Sequence, residues 1–290
     1  MTASNAAKPI QIKLLLVRHG ATSGNAEKRY IGKTDEPLSE AGRETLRDFV
    51  AAGRYSVFSD DVTGTAGKNA CLGKSSSCSA DCATKRPCVP LVFVSPMKRC
   101  VETAQILFPD VKPVVNENFR ETDFGLFEGK NYDELMADDR LRSEYQKWID
   151  SGGKDAFPGG ESREAFIERT MQGFMSMMDL VLENCAECNC ADVSGECHDV
   201  VAECENPGFD VKNDEAMPPA VAVIHGGSIM AILSALCGGS FYDYQVENGG
   251  GYVCTARIEP ADSESVPKEW ESARKGCASM NIQLFGLRRL

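Results

Sequence analysis

Three short apolar runs that do not alternate constrain this chain most: Leu14 to Val17 (LLLV), Leu91 to Val94 (LVFV) and Val221 to Ile224 (VAVI). A strand with one wet face alternates apolar and polar residues. An unbroken run predicts a strand covered on both faces, the habit of parallel sheets flanked by helices. Each run ends in polar or glycine-rich residues and then a helical pattern. After the second, Ser95-Pro96 predicts an N-cap with proline at the first helical position and a helix through about Leu107. After the third, His225-Gly226-Gly227-Ser228 leads to an apolar helix from Ile229 to Leu236. A helix is expected over Ser39 to Val50. Ser162 is expected to cap a long one in which Phe166, Thr170, Phe174, Met178 and Val181 recur every three or four residues. Tyr252 to Ile258 alternates as a strand, and Asn281 to Phe285 is expected to pair with it. Together these predict a three-layer α/β/α fold with a mostly parallel central sheet. Ligands of such sheets bind beyond the carboxyl ends of the strands, where His19, Arg99 and His225 all fall.

The 290 residues, 42% of them hydrophobic, suffice for one substantial core. They read as a single domain over residues 1–290, with cysteine-rich insertions at about 59–90 and 183–219. Both precede buried strands and are expected opposite the active-site rim. A net charge of −12 argues against nucleic acid or an anionic membrane surface as partner. An anionic ligand therefore needs a local basic pocket. No stretch approaches the ~20 apolar residues of a membrane span, and the first residues do not read as a signal peptide. The expectation is a cytoplasmic chain acting on a small molecule, with no feature that sets its oligomeric state.

Only three histidines occur, and two, His19 and His225, follow buried strands. A lone histidine at a strand end usually satisfies a local hydrogen bond. Here Arg18 adjoins His19, Thr22 and Asn25 follow it, and Arg99 follows the second strand. Arginine offers a planar, permanently charged fork suited to phosphate oxygens. Two arginines and two imidazoles form a cage for a group with several anionic oxygens, whereas structure alone gains little from clustering like charges.

The segment LLLVRHGATSGN resembles the signature of the histidine phosphatase superfamily, the phosphoglycerate mutase-like family. Five more segments are similar in the same order: IGKTDEPLSEAGRETL; FVSPMKRCVETAQIL with Arg99; FRETDFGLFEGKNYDEL with Glu121; FPGGESREAF; and VIHGGSIMAIL with His225. The resemblance implies a phosphohistidine on His19, with Arg18, Arg99 and His225 holding the equatorial oxygens. Thr22, Asn25, Gly32 and Gly226 are implied as phosphate or substrate contacts. Glu121 is implied as the group that protonates the leaving oxygen and then activates water; Asp123 is the fallback, and Glu128 reads as structural or substrate-proximal. No metal or cofactor is required for catalysis, and histidines beside arginines suit a dication poorly. Mutases of this family usually carry tryptophan where this chain has Gly24, and a paired-arginine segment where this chain has isolated Arg140 and Arg142. FGLFEGKNYDEL and FPGGES resemble the phosphatase branch, including alpha-ribazole phosphatases. The expected activity is hydrolysis of a small phosphorylated metabolite, with specificity in a variable segment at about 117–160. A phosphoglycerate mutase and a non-catalytic phosphate-binding module are the alternatives.

Thirteen cysteines are many for a reducing compartment. Cys185-x-x-Cys188-x-Cys190 has spacing compatible with a structural zinc or iron–sulfur site. Disulfides and free thiols are the other readings. Cys100 and Cys237, in apolar helices, are expected in the core.

Overall fold

A computed structural model describes residues 10–55, 91–187, 220–260 and 280–290, without the side chains of 185–187 and 260. The three apolar runs become the middle of one six-stranded sheet. In chain order its strands are β1 (Ile10–Arg18), β2 (Leu91–Val94), β3 (Val114–Val115), β4 (Ala220–Ile224), β5 (Gly251–Pro260) and β6 (Met280–Arg289). Their spatial order is β3-β2-β4-β1-β5-β6. The first four pair in parallel, and β5 and β6 add antiparallel.

Period-2 geometry splits each apolar run between two cores. Leu14 and Leu16 of β1, Phe93 of β2 and Ala222 and Ile224 of β4 face one; Leu15, Val17, Val92, Val94, Val221 and Val223 face the other. The first core is closed by Phe174, Met178 and Val181 and by Ile229, Ile232 and Leu233; the second by Leu46, Cys100, Ala104 and Leu107. Those residues lie on four helices. Among the described residues the helices are α1 (Ser23–Ala26), α2 (Glu40–Ala51), α3 (Lys98–Leu107), α4 (Tyr132–Ala137), α5 (Asp139–Asp150), α6 (Arg163–Glu187) and α7 (Gly226–Cys237). The layering is therefore α6 and α7, sheet, then α2 and α3. Full burial of each large aliphatic or aromatic side chain contributes about 1.5–3 kcal/mol, so both faces of β1 and β4 hold the sheet in place.

Local signals act as expected at several ends. Ser39 Oγ accepts from Gly42 N (3.0 Å) at the start of α2, and Ser162 Oγ from Ala165 N (3.1 Å) ahead of α6. Two boundaries differ. The third helix starts at Lys98 behind Met97, which makes no side-chain cap; Ser95 Oγ accepts from Met97 N at 3.4 Å and also lies 2.8 Å from His225 Nε2. The last starts at Gly226 rather than Ile229, because its two glycines sit in the first turn, where close approach outweighs propensity. Cys100 is buried, but Cys237 is exposed. It is the final residue of α7, beyond the packed stripe, before Gly238 at φ 77°. The Cys185, Cys188 and Cys190 reading, and most of both insertions, lie outside the described residues. No helix among the described residues is long and apolar enough to cross a membrane.

Candidate active site

The strand register assembles the site. Arg18 pairs with Ile224 across β1 and β4, and Val94 with Val223 across β2 and β4. The next residues are held by backbone bonds over the strand ends, His19 N to Ile224 O (3.0 Å) and Ser95 N to Val223 O (3.2 Å). His19, Ser95 and His225 thus meet at one sheet edge although up to 206 positions separate the two histidines (225 − 19). Their rings are 5.1 Å apart between centroids and 68° inclined.

His19 is 3% exposed, and its Nδ1 lies 2.7 Å from Gly20 O. A carbonyl only accepts, so Nδ1 carries the proton and the Nε2 lone pair is free to attack. Burial, then Arg99, then Arg18 push the imidazole pKa well below its ordinary value, with the Gly20 bond opposing. Both arginines disfavour the protonated form, and desolvation of the buried ring is the larger cause. His225, fully buried, is likewise held neutral by burial first, then Arg99 and His19. The Ser95 hydroxyl both donates and accepts, so it serves either tautomer of His225.

Arg18 donates from Nη1 to Val246 O (2.8 Å), while its Nε is buried with no partner. A buried unpaired donor costs about 1–3 kcal/mol, a cost that an anionic oxygen would relieve. Arg99, 1% exposed, spends three donor contacts on the carbonyls of Thr34 (2.9 Å), Gly32 (2.9 Å) and Ile31 (3.4 Å). Two of its five N–H groups remain for a ligand.

Glu121 Oε2 stands 3.8 Å from His225 Nδ1, and its Oε1 accepts from Thr122 N (2.9 Å). Burial pushes its carboxyl above the ordinary range, against the Thr122 bond and both site arginines. An upward-shifted Glu121 offsets less of the Arg18 and Arg99 charge, which suits an anionic ligand. Asp123 is elsewhere: it binds Lys33 Nζ at 3.2 Å and Gly125 N at 2.9 Å. Glu128 is a brace, accepting from Gly32 N (3.0 Å), Thr34 N (2.9 Å) and Thr34 Oγ1 (2.7 Å).

Thr22 and Asn25 form a hydrogen-bond network tied to the His19 backbone. Thr22 Oγ1 caps Asn25 N, and Asn25 Oδ1 returns to Thr22 N, both at 3.2 Å. Asn25 Oδ1 also accepts from Asn248 Nδ2 (3.1 Å), which reaches His19 O at the same distance. Gly32 ties Arg99 to Glu128, and a Cβ there would meet Thr122 O at 1.9 Å. A Cβ at Gly226 would come within 3.3 Å of Arg18 Nε. Sequence reasoning missed Ser95, Asn248 and Arg169. Arg169 pairs with Glu161 (2.8 Å) and donates to Asn118 O (2.8 Å) and Arg120 O (3.0 Å), bracing the backbone that leads into Glu121. No local motif marks such long-range side-chain bonds. Among the described residues no group of three or more His, Cys, Asp or Glu side chains is placed to hold a metal.

A family model described as the histidine phosphatase superfamily (branch 1) matches residues 14–64 and 79–184. The chain is 23% identical over 166 residues to phosphoserine phosphatase 1 of Hydrogenobacter thermophilus, covering 57% of this chain and 63% of that one. It is 26% identical over 162 residues to phosphoglycerate mutase-like protein 4 of Arabidopsis thaliana, covering 54% and 56%. The matches span from 36% to 64% of the curated relatives. The crystal structure of a putative alpha-ribazole-5'-P phosphatase from Escherichia coli aligns with a TM-score of 0.55 at 15% identity, over 94% of this chain and 95% of that one. At that identity the likeness speaks for the fold alone. With more than half of its length matched, carrying the Arg18-His19-Gly20 turn and both Arg99 and Glu121, this chain belongs to the histidine phosphatase superfamily, branch 1.

Proposed function

We propose that the chain is a phosphomonoester phosphatase working through a phosphohistidine on His19, with Glu121 as general acid and then general base, and with no cofactor. The observation that carries this reading is the His19 geometry: a buried neutral ring whose Nδ1–H is committed to Gly20 O, leaving Nε2 as nucleophile. Nε2 attacks phosphorus in line, and the bond to the leaving oxygen breaks as that oxygen takes the Glu121 proton. Arg18, Arg99 and His225 hold the three equatorial oxygens. A water then attacks the phosphohistidine and gives its proton to the Glu121 carboxylate, releasing phosphate and restoring the acid.

Hydrolysis is favoured over transfer to a second substrate hydroxyl by two features. A Cβ at Gly24 would meet Glu36 Oε1 at 2.4 Å and Ile31 Cγ1 at 2.5 Å, so the tryptophan usual in mutases has no room. Arg142 pairs with Asp139 and donates to Met136 O, so it is not part of a free adjacent arginine pair of the kind usual in mutases. The test is to incubate the chain with a panel of phosphomonoesters and with 2- and 3-phosphoglycerate. Phosphate release, with an acid-labile, alkali-stable phosphoprotein that His19→Ala lacks, is the expected result. Isomer exchange without release would instead assign a mutase, and full activity in His19→Ala would remove the mechanism.

A further inference from the structure

A cavity of about 300 Å³ lies beside Glu121 and Gly227. More than half of its lining residues are aromatic. Along one wall Tyr30 and Phe124 (5.2 Å between centroids), Phe124 and Phe157 (5.0 Å) and Phe157 and Trp148 (4.7 Å, 25° apart) form a chain of ring contacts. The indole Nε1 of Trp148 is buried without a partner. The permanent charge in the lining is Arg163, whose guanidinium lies 5.3 Å from the Phe241 ring centroid and 5.0 Å from that of Tyr242. Arg163 donates to Tyr242 Oη (2.9 Å) and Gly152 O (3.2 Å), and no described carboxylate forms an ion pair with it.

Position gives this cavity its meaning. The acid that protonates a leaving oxygen must lie within hydrogen-bond reach of it. Glu121 lines the cavity, so the group departing with that oxygen lies on the cavity's side. We propose that the substrate is a phosphomonoester of a flat aromatic alcohol bearing an anionic or hydrogen-bond-accepting substituent, the ring seated among Tyr30, Phe124, Trp148 and Phe157 and the substituent on Arg163. This rests on the phosphatase reading and names its substrate class. A three-carbon hydroxy acid would leave most of the apolar wall wet, and the ammonium of an amino alcohol would face the Arg163 charge. An aromatic ring covers that wall in the edge and offset contacts it favours, and the Trp148 N–H and the guanidinium supply donors that an acceptor would complete.

The test uses primary alkyl esters, whose leaving oxygens are alike in basicity. The substrates are 2-(2-naphthyl)ethyl phosphate and a ring-carboxylated form of it, against ethyl phosphate, phosphoserine and 3-phosphoglycerate. We expect kcat/KM for the naphthyl ester to exceed that for ethyl phosphate by about 100-fold, and the carboxylate to add about 10-fold. Trp148→Ala should lower the naphthyl-to-ethyl ratio about tenfold, and Arg163→Gln should erase the preference for the carboxylate. Equal or faster turnover of phosphoserine or 3-phosphoglycerate would overturn the proposal, as would ratios that neither variant changes. Calorimetric binding of the matching phosphonates separates the two layers of inference. If no ester is hydrolysed but the naphthyl phosphonate still binds about 100-fold tighter than ethylphosphonate, the cavity assignment stands and the phosphatase reading falls. Equal binding of the two overturns the cavity assignment.

Discussion

Glu121→Gln isolates one proton. The amide has the carboxyl's shape and keeps an oxygen to accept Thr122 N–H, now at 2.9 Å. It has little freedom to turn away, because even a Cβ added at Gly227 would lie 2.8 Å from Oε1. What it cannot do is give up a proton to a leaving oxygen or take one from water. A positioned general acid is worth about 10²–10⁴-fold, or ~3–5 kcal/mol of barrier at 1.36 kcal/mol per tenfold. That loss should appear in kcat/KM for alkyl phosphates, whose alkoxide departs only with a proton. For 4-nitrophenyl phosphate the phenolate leaves unaided, so kcat/KM should change by less than about tenfold. The second step still needs a base, so kcat should fall for both. Stopped-flow mixing of the variant with the nitrophenyl ester should therefore show a burst of one nitrophenolate per site, followed by slow turnover and accumulated phosphohistidine. Equal losses of kcat/KM for both esters with no burst would refute the assignment of Glu121.

Three other outcomes follow from the same geometry. Both buried imidazoles are neutral with depressed pKa values, so below about pH 6.5 the unfolded chain gains their protons first and stability falls as pH falls. His19→Asn should make that loss shallower by up to about 1.4 kcal/mol per pH unit, read from denaturant midpoints at pH 7 and 5.5; parallel lines for the two proteins would contradict it. Ser95→Ala removes the 2.8 Å partner of His225 Nε2, which should lower thermal stability by about 1–3 kcal/mol and reduce kcat more than it raises KM. Gly227→Ala drives a methyl against Glu121 Oε1 at 2.8 Å and Phe166 Cζ at 3.2 Å. It should copy the leaving-group dependence of Glu121→Gln while the chain still melts cooperatively, and an unaltered leaving-group dependence would mean that the acid is not held where it stands.

Much of this molecule is readable along the chain because its signals are local. An apolar run buried on both faces needs no partner to be recognised. Ser39 and Ser162 announce helices through side-chain oxygens that reach donors three residues ahead. Ser95 shows the limit of such reading. By spacing it is an N-cap, and its hydroxyl does accept from Met97 N at 3.4 Å, but it also meets His225 Nε2, 130 positions later, at 2.8 Å, a contact that no local spacing announces. Cys237 fails for a related reason, since the helical pattern names a face but not how far the packing partner extends.

The sequence by itself determined the double-sided sheet, the end of the sheet where His19, Arg99 and His225 gather, and the residue types of the proposed phosphate cage, because spacing along strands and helices sets them. Tertiary structure decided the protonation state of His19, which desolvation by the assembled sheet governs more than its arginine neighbours. It also separated Glu121 from Asp123, which are two residues apart: the first lies mostly buried beside His225 and the second pairs with Lys33. The aromatic cavity is the extreme case, because Tyr30, Phe124, Trp148, Phe157 and Tyr242 share no motif. Only the folded chain brings their rings together, and only a three-dimensional wall can select a ring.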